Sequence, residues 1–278
     1  DVRTHHEVQK INREEKKITV CDLNTGRIFE EKYDKLILSP GARPVVPEFA
    51  KINSDRIFTL RTVEDTFKIK DYIKNKVPKS ATIIGGGFIG LEMAENLRNL
   101  GLGVTIIQRG NQLLNILDSD MAPFIHTKFK SQGIKLLFNA SVKEVSDGEK
   151  LVISGENMPD VSTDIVIVSV GVVPESALAE KSGLALSTKG SIAVDDTMLT
   201  SDENIYAVGD AVEITHRVSG NKALIALAGP ANKQGRIAAD NICGIKSKYE
   251  GSQGSSVIKL FDMTAAATGL NEKQINAM

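Results

Sequence analysis

The chain has 278 residues, 41% of them hydrophobic, and a formal net charge of −1, so it can bury a sizeable core and is long enough for about two domains. A near-neutral chain without a basic run is a poor candidate for binding nucleic acid. Its apolar runs fall short of the ~18 residues that span a bilayer, and the first residues lack the pattern of a signal peptide. We therefore expect a soluble cytoplasmic protein that binds neither nucleic acid nor membrane.

The four histidines and two cysteines offer no obvious metal site. Cys21 falls in a predicted strand and Cys243 near the end of a predicted helix, and neither has metal-ligand spacing to a histidine. Both are expected to be buried structural thiols.

The first forty residues have the alternation of β-structure. Residues 17–21 and 28–30 flank Asn24-Thr25-Gly26, which predicts a hairpin. An apolar strand over residues 33–39 ends at Pro40-Gly41-Ala42. Two prolines shortly afterwards mark a linker.

Residues 81–100, ATIIGGGFIGLEMAENLRNL, read as strand, glycine turn and helix, with a further strand over 104–107. In such a βαβ unit, Gly85 permits the sharp turn, Gly87 leaves room for a pyrophosphate, and Gly90 allows helix and strand to pack closely. The helix N-terminus adds free N–H groups and a partial positive charge. This pattern predicts a dinucleotide site.

Three helices are predicted in this part of the chain, the first capped by Thr62, the second ended by Gly101, and the third capped by Asp118 or Ser119 and ended by Gly133. Their apolar positions are Val63, Phe67, Ile69 and Ile73 in the first, Ile89, Met93, Leu97 and Leu100 in the second, and Met121, Phe124, Ile125 and Phe129 in the third.

Further strands are predicted over residues 134–138, 142–145, 151–154 and 164–170, completing a nucleotide-binding domain. A later strand over residues 204–208 runs into Gly209-Asp210. A carboxylate at that position could receive a ligand hydroxyl, or it could cap a helix. A helix over residues 231–243 and a strand over 257–261 follow.

These landmarks resemble the pyridine nucleotide-disulfide oxidoreductase family of flavoproteins. The motifs are LILSPGARP, IIGGGFIGLE, IVSVGVVP, TSDENIYAVGDAVE and LAGPANKQGRIAADNICG. The last two, with VIKLFDMTAAATGLNEK, look most like the branch of coenzyme A-disulfide reductases, NADH oxidases and NADH peroxidases.

The resemblance implies an α/β fold in which a Rossmann-like NAD(P)-binding domain, residues 50–174, is inserted into a three-layer FAD-binding domain, residues 1–49 and 175–253. Residues 254–278 would begin a C-terminal interface domain, which makes family members homodimers. The family's first glycine-rich loop and redox-active cysteine would precede Asp1. We therefore expect a fragment with an incomplete FAD-binding domain and no catalytic residue of its own.

The family pattern also assigns roles by position, with FAD and NAD(P)H as the cofactors. The residues implied for NAD(P)H are Gly85, Gly87, Phe88, Ile89, Gly90, Glu92, Gln108, Arg109 and Gly171, and those implied for FAD are Gly41, Ala42, Gly209, Asp210 and Ala228. Phe88 would be a gate over the flavin, and Glu92 would lie near the nicotinamide. Residues 227–234 would lie under the flavin pyrimidine.

The preferred nicotinamide cofactor depends on the end of the second strand. An acidic residue there would bind the ribose hydroxyls and repel a 2′-phosphate, whereas this chain has Gln108-Arg109. Arg109 could pair with the phosphate or be an ordinary solvated charge. The sequence leans slightly toward NADPH.

The function that these features favour is hydride transfer from NAD(P)H to flavin and on to a small disulfide such as coenzyme A disulfide. Oxygen or peroxide is the alternative acceptor. Two further readings are a module that binds NAD(P)H without turnover and a structural protein with a vestigial fold.

Overall fold

The structure, a computed structural model, describes residues 1–187 and 189–278. The chain divides into two compact units, each formed from two separate stretches. Unit 1 comprises Asp1–Arg43 and Val173–Gly254, and unit 2 comprises Pro44–Val172 and Ser255–Met278. The predicted α/β fold is confirmed.

The strands of the described residues are β1 (His6–Asn12), β2 (Lys17–Asp22), β3 (Ile28–Lys32), β4 (Leu36–Leu38), β5 (Ala42–Pro44), β6 (Ile57–Phe58), β7 (Ser80–Ile84), β8 (Gly103–Ile107), β9 (Lys135–Leu137), β10 (Ser141–Asp147), β11 (Leu151–Glu156), β12 (Val161–Thr163), β13 (Ile165–Val168), β14 (Val172–Pro174), β15 (Ile205–Ala207), β16 (Ile214–Thr215), β17 (Lys222–Ala223), β18 (Ser256–Leu260) and β19 (Met263–Ala267). The α-helices are α1 (Val63–Lys76), α2 (Phe88–Asn99), α3 (Ala122–Ser131), α4 (Ala177–Lys181), α5 (Ala228–Ile242) and α6 (Glu272–Asn276).

Unit 2 is organised around a parallel sheet in the order β6-β13-β7-β8-β9. Its central strands are continuous runs of mostly β-branched residues, as expected for strands that are covered on both faces. Ile83 and Ile106 contribute to the core under α1, α2, α3 and β18. Ile84 and Ile107 belong to the opposite core, under the antiparallel sheet β10-β11-β12. This three-layer arrangement leaves the strand ends free to form a site.

Helix α1 begins as predicted but turns a different face to the core. Thr62 and Asp65 form a reciprocal capping box at its N-terminus, which confirms the predicted cap. Val63 and Phe67, predicted to face inward, are 64% and 57% exposed, whereas Ile69 is buried. The apolar spacing fits more than one helical phase, and packing on the sheet selects the phase that contains Ile69.

Helix α2 also differs from the prediction in one residue of its inward face. The buried stripe of α2 contains Leu91, Ala94 and Leu97, while Leu100, predicted to be inward, is exposed beyond the last turn. Gly101 and Gly133 end α2 and α3 with positive φ, as predicted.

Helix α3 starts after the predicted cap position. Met121 is its N-cap, without a side-chain capping bond, so the prediction of Asp118 or Ser119 as the cap is wrong. The carbonyl of Asp118 accepts the N–H groups of Met121 and Ala122 instead. Met121 and Phe124 are exposed, and Ile125 and Phe129 form the buried face.

Unit 1 contains the antiparallel sheet β1-β2-β3 and the parallel pair β4-β15. Leu36 pairs with Ile205, and Leu38 pairs with Ala207, so both strands end at the same edge. The predicted hairpin between β2 and β3 is confirmed, with Gly26 at φ +72°. Helix α5 begins three residues before the predicted start, at Ala228.

The two cysteines occupy different environments. Cys21 is half-buried on β2, and Cys243, at the C-cap of α5, is exposed. The prediction of two buried thiols is therefore wrong for Cys243. Gln234 and Ala238 define the buried stripe of α5, and Cys243 lies off that stripe.

Over the described residues, no helix combines the length and apolar character needed to cross a bilayer.

Candidate functional site

The glycine turn after β7 depends on two glycines for its backbone geometry. Gly85 has φ +113°, and a β-carbon on it would lie 2.3 Å from the carbonyl oxygen of Ser169. A β-carbon on Gly90 would lie 2.1 Å from the carbonyl oxygen of Gly85. Both distances are shorter than any normal contact, so the sharp turn and close packing predicted for these positions are present.

Gly87 differs because its missing side chain leaves empty space. Its φ is −88°, which any residue can adopt. Apart from Gly87 itself and its two chain neighbours, no atom of residues 1–187 or 189–278 lies within 4 Å of where its β-carbon would be. Gly87 is also the N-cap of α2, without a side-chain capping bond. The first N–H groups of this helix thus have no side-chain capping partner and lie next to an open position at Gly87, and such an arrangement suits a phosphate.

Ser169 and Gly171 reach the same edge of the sheet from β13. Ser169 donates its N–H to the carbonyl of Ile84 at 2.8 Å and its hydroxyl to the carbonyl of Gly85 at 3.0 Å. Gly171 has φ +123°, and the space at its β-carbon position is open. Strands β13 and β7 thus place Gly171 at the same edge as the glycine turn, where ligands bind in sheets of this type.

Gln108 follows β8, and its side chain turns back to the glycine turn. Its Oε1 accepts the N–H of Gly86 at 2.9 Å. Arg109 is exposed, and no ion pair to it is found in residues 1–187 or 189–278. A cationic group thus stands free beside the end of β8.

The remaining residues predicted for NAD(P)H lie at the start of α2. Phe88 and Ile89 are half-buried in its first turn, and Glu92 is exposed one turn later. Phe88 packs against the helix-side core of unit 2, so it has a structural contact, and its role at the flavin stays a prediction.

Most of the residues predicted for FAD follow the carboxyl ends of the parallel strands β4 and β15 in unit 1. Gly41, at φ +74°, follows β4 and accepts the N–H of Glu175 at 2.9 Å, and Ala42 begins β5. Gly209, at φ +83°, follows β15 and donates its N–H to Oε1 of the buried Gln234 at 2.6 Å.

Asp210 lies in a short 3₁₀ turn, Gly209–Ala211, rather than at the start of an α-helix. The alternative that it caps a following helix is therefore not supported. Its carboxylate is half-buried, and the described residues provide it with no hydrogen bond. Gln234 of α5 binds the preceding residue, so Asp210 lies near the N-terminal half of that helix.

Ala228, exposed, is the first residue of α5, which has Leu227 as N-cap and no side-chain capping bond. The free N–H groups of this helix supply a second positive end. Unit 1 thus contains donors at the start of α5 and an acceptor at Asp210.

Sequence reasoning missed Ser169 and the backbone of Gly86, and it included Gln234 only as the last residue of the segment 227–234, without its bond to Gly209. Ser169 could have been found, because it directly follows the buried run of β13. The partners of Gln234 and Gly86 could not, because they depend on tertiary packing. Within the described ranges, no group of three or more histidine, cysteine or acidic side chains could hold a metal ion.

The chain is similar to known proteins over almost its whole length. Residues 1–235 match the family described as pyridine nucleotide-disulphide oxidoreductase. The coenzyme A disulfide reductase of Staphylococcus haemolyticus is 37% identical over 99% of the chain and 61% of its own length. The NADH oxidase of Methanocaldococcus jannaschii is 34% identical, with the same coverage of both chains.

A solved structure, reduced Bacillus anthracis CoADR-RHD, is 44% identical with a TM-score of 0.95, over 100% of this chain and 50% of that one. The chain thus spans about 61% of the length of the curated relatives. On the extent of the family match, this chain belongs to the pyridine nucleotide-disulphide oxidoreductases.

Proposed function

We propose that this protein is an FAD-dependent NAD(P)H oxidoreductase that reduces a small disulfide such as coenzyme A disulfide. The observation that carries the proposal is the open volume at Gly87, next to the uncapped N-terminus of α2. No packing requirement accounts for a glycine there, whereas a pyrophosphate does.

Unit 2 would hold NAD(P)H along the carboxyl edge of its sheet. Gly85 and Gly90 give the turn its shape, and the N–H groups at the start of α2 bind the pyrophosphate. Gly171, which is open at its β-carbon position, lets the nicotinamide half approach the backbone. Phe88 and Glu92 are proposed to lie near the reacting end.

Unit 1 offers groups that fit FAD. The half-buried carboxylate of Asp210 would accept hydrogen bonds from ribityl hydroxyls. The free N–H groups at the start of α5, beginning at Ala228, suit the electron-rich edge of a flavin ring. At Gly41, Ala42 and Gly209 the small residues would let FAD approach the backbone closely.

The bound cofactors would supply the hydride and electron chemistry. The contribution of this chain is to bind and orient them: glycines admit the phosphates, helix N-termini neutralise charge, and Asp210 fixes the flavin side chain.

The identity of the acceptor is proposed from the relatives. Coenzyme A disulfide reductase and NADH oxidase are the names of proteins 37% and 34% identical to this chain. These names support a disulfide as the first candidate acceptor and oxygen or peroxide as the second. A module that binds NAD(P)H without turnover is the candidate from another class. A cytoplasmic location and a homodimer of the intact protein also remain proposals.

One spectrum distinguishes the enzyme from the module. The purified intact protein, incubated with FAD and then freed of excess cofactor, should show a flavin absorption band that bleaches on anaerobic addition of NAD(P)H. Reoxidation by coenzyme A disulfide, but not by peroxide, would support the disulfide reductase. A colourless protein that still binds NAD(P)H would support the module instead.

A further inference from the structure

The loop between β8 and α3, residues 108–121, has no regular secondary structure, yet its centre is buried. Gln112, Leu113 and Leu114 are 3%, 0% and 2% exposed. Loops usually run over the surface, because buried backbone groups need partners. The partners found here connect this loop to the glycine turn.

Both backbone polar groups of Gly86 are bound by the loop. Its N–H donates to Gln108 at 2.9 Å, and its carbonyl accepts the N–H of Leu114 at 2.9 Å. Leu113 packs against the same residue, since a β-carbon on Gly86 would lie 2.5 Å from Cδ2 of Leu113. The loop therefore determines the position of the residue that precedes Gly87.

The loop is strained where it meets the turn. Leu114 has φ +48°, in the left-handed region that residues other than glycine seldom occupy. Such a conformation persists only where the surroundings enforce it, and it is often found at functional sites.

His126 of α3 provides one of the contacts that hold the loop. Its Nε2 accepts the N–H of Leu113 at 3.1 Å. Because Nε2 is the acceptor, the neutral ring carries its proton on Nδ1. The ring also lies 4.6 Å, centroid to centroid, from Phe138. Burial, with a smaller contribution from Lys130, lowers the pKa of His126, which favours this neutral form.

The C-terminal segment holds the same loop from another side. Asn271 donates its Nδ2 to the carbonyl of Asn115 at 2.8 Å, and the N–H of Glu272 donates to Oδ1 of Asp118 at 2.7 Å. Asn271 is itself fixed by a capping box with Gln274. These bonds fasten the loop on the C-terminal side of its buried centre.

We infer that His126 is a positioning residue of the NAD(P)H site: by binding Leu113 it holds the loop against Gly86, so that Gly87 keeps the open shape that receives the pyrophosphate. His126 does not touch the nucleotide in this arrangement and acts through the loop. The inference rests on the proposed function of the glycine turn.

Three variants of the whole chain test it. His126→Phe keeps a ring beside Phe138 but removes the acceptor, and His126→Gln places an amide oxygen where Nε2 stands. Phe129→Leu, on the same helix and fully buried, is the control for loss of stability, because its side chain makes no hydrogen bond to the loop.

The measurements are the dissociation constants of NADH and NADPH at mildly alkaline pH and the amide hydrogen exchange of Gly86 and Leu114 without nucleotide. The loss of one buried hydrogen bond should weaken binding in His126→Phe about five- to tenfold and should speed exchange at both amides. His126→Gln should bind much like the wild type, and Phe129→Leu should unfold more easily while binding normally.

Two results would overturn the inference: unchanged affinity in His126→Phe, or an equal loss of affinity in Phe129→Leu. A wild-type chain that binds neither nucleotide would instead overturn the proposed function, and the inference with it.

Discussion

A β-carbon added to Gly90 would lie 2.1 Å from the carbonyl oxygen of Gly85. This contact joins the first turn of α2 to the end of β7, and it leaves room for hydrogen only. The same turn contains Gly87, where a β-carbon would meet nothing within 4 Å. Two glycines three residues apart thus serve different purposes.

Gly90→Ala and Gly87→Ala separate these purposes. Overpacking at Gly90 should lower the free energy of unfolding by about 1–3 kcal/mol, measured by denaturant titration. Gly87→Ala should fold normally but weaken NAD(P)H binding roughly tenfold, because the methyl group occupies the phosphate space. Unimpaired binding by Gly87→Ala would remove the main support for the pyrophosphate site.

The choice between NADH and NADPH depends on Gln108 and Arg109. Arg109→Ala should weaken NADPH binding several-fold and leave NADH binding nearly unchanged, since an exposed ion pair contributes about 0.2–1 kcal/mol. Gln108→Glu should disfavour NADPH by placing a carboxylate beside the 2′-phosphate. The measurement is the ratio of the NADH and NADPH dissociation constants in the wild type and in each variant. If this ratio is the same in all three proteins, the predicted preference for NADPH is wrong.

Asp210 should govern the retention of flavin. Asp210→Ala is expected to lose FAD during gel filtration while binding NAD(P)H as the wild type does, because the two sets of residues belong to different units. Asp240→Ala, a carboxylate late in α5, is the matched control. If both variants retain flavin equally, the assignment of Asp210 is wrong.

Asp164 should make unit 2 sensitive to acid. Burial acts to raise the pKa of this carboxyl, but hydrogen bonds from Lys79, Ser80 and Lys150 outweigh burial and lower the pKa to about 2. The N–H groups of Lys79 and Ser80 each donate to Oδ2 at 2.8 Å. The carboxylate thus ties the start of β7 to the residue before β13.

Because the folded pKa lies below the unfolded value of about 3.9, the stabilisation is fully present above about pH 4 and is lost as the pH falls through 2. It amounts to about 2 kcal/mol. Asp164→Asn should therefore be less stable at neutral pH and show a flatter pH dependence in this window, measured by thermal unfolding. Parallel pH curves for variant and wild type would contradict this account.

How far the sequence predicts the structure depends on whether the interaction is local. The turn at Gly85, the cap at Thr62 and the ends at Gly101 and Gly133 follow from rules about neighbouring residues, and all are confirmed. The inward faces of α1 and α3 depend on contacts with the sheet, so the predictions for Phe67 and Phe124 are wrong.

The contacts of the loop after β8, which belongs to the site, also could not be predicted from neighbouring residues. Its residues have neither helical nor strand periodicity, so no pattern marks them. Their partners, Gly86, His126 and Asn271, are distant in sequence, and only the folded chain brings them together. Gln108 could be predicted as a possible specificity residue, but its bond to Gly86 could not.

The parallel pairing of β4 with β15 also affects how the chain is made. Strand β4 precedes the five-stranded sheet of unit 2 in the chain, whereas β15 follows only after that whole sheet has been synthesised. Until then, Leu36 and Leu38 form an apolar strand without its native neighbour, and such edges promote aggregation. Unit 1 can therefore complete its β4-β15 pairing only after its second half, Val173–Gly254, has been synthesised.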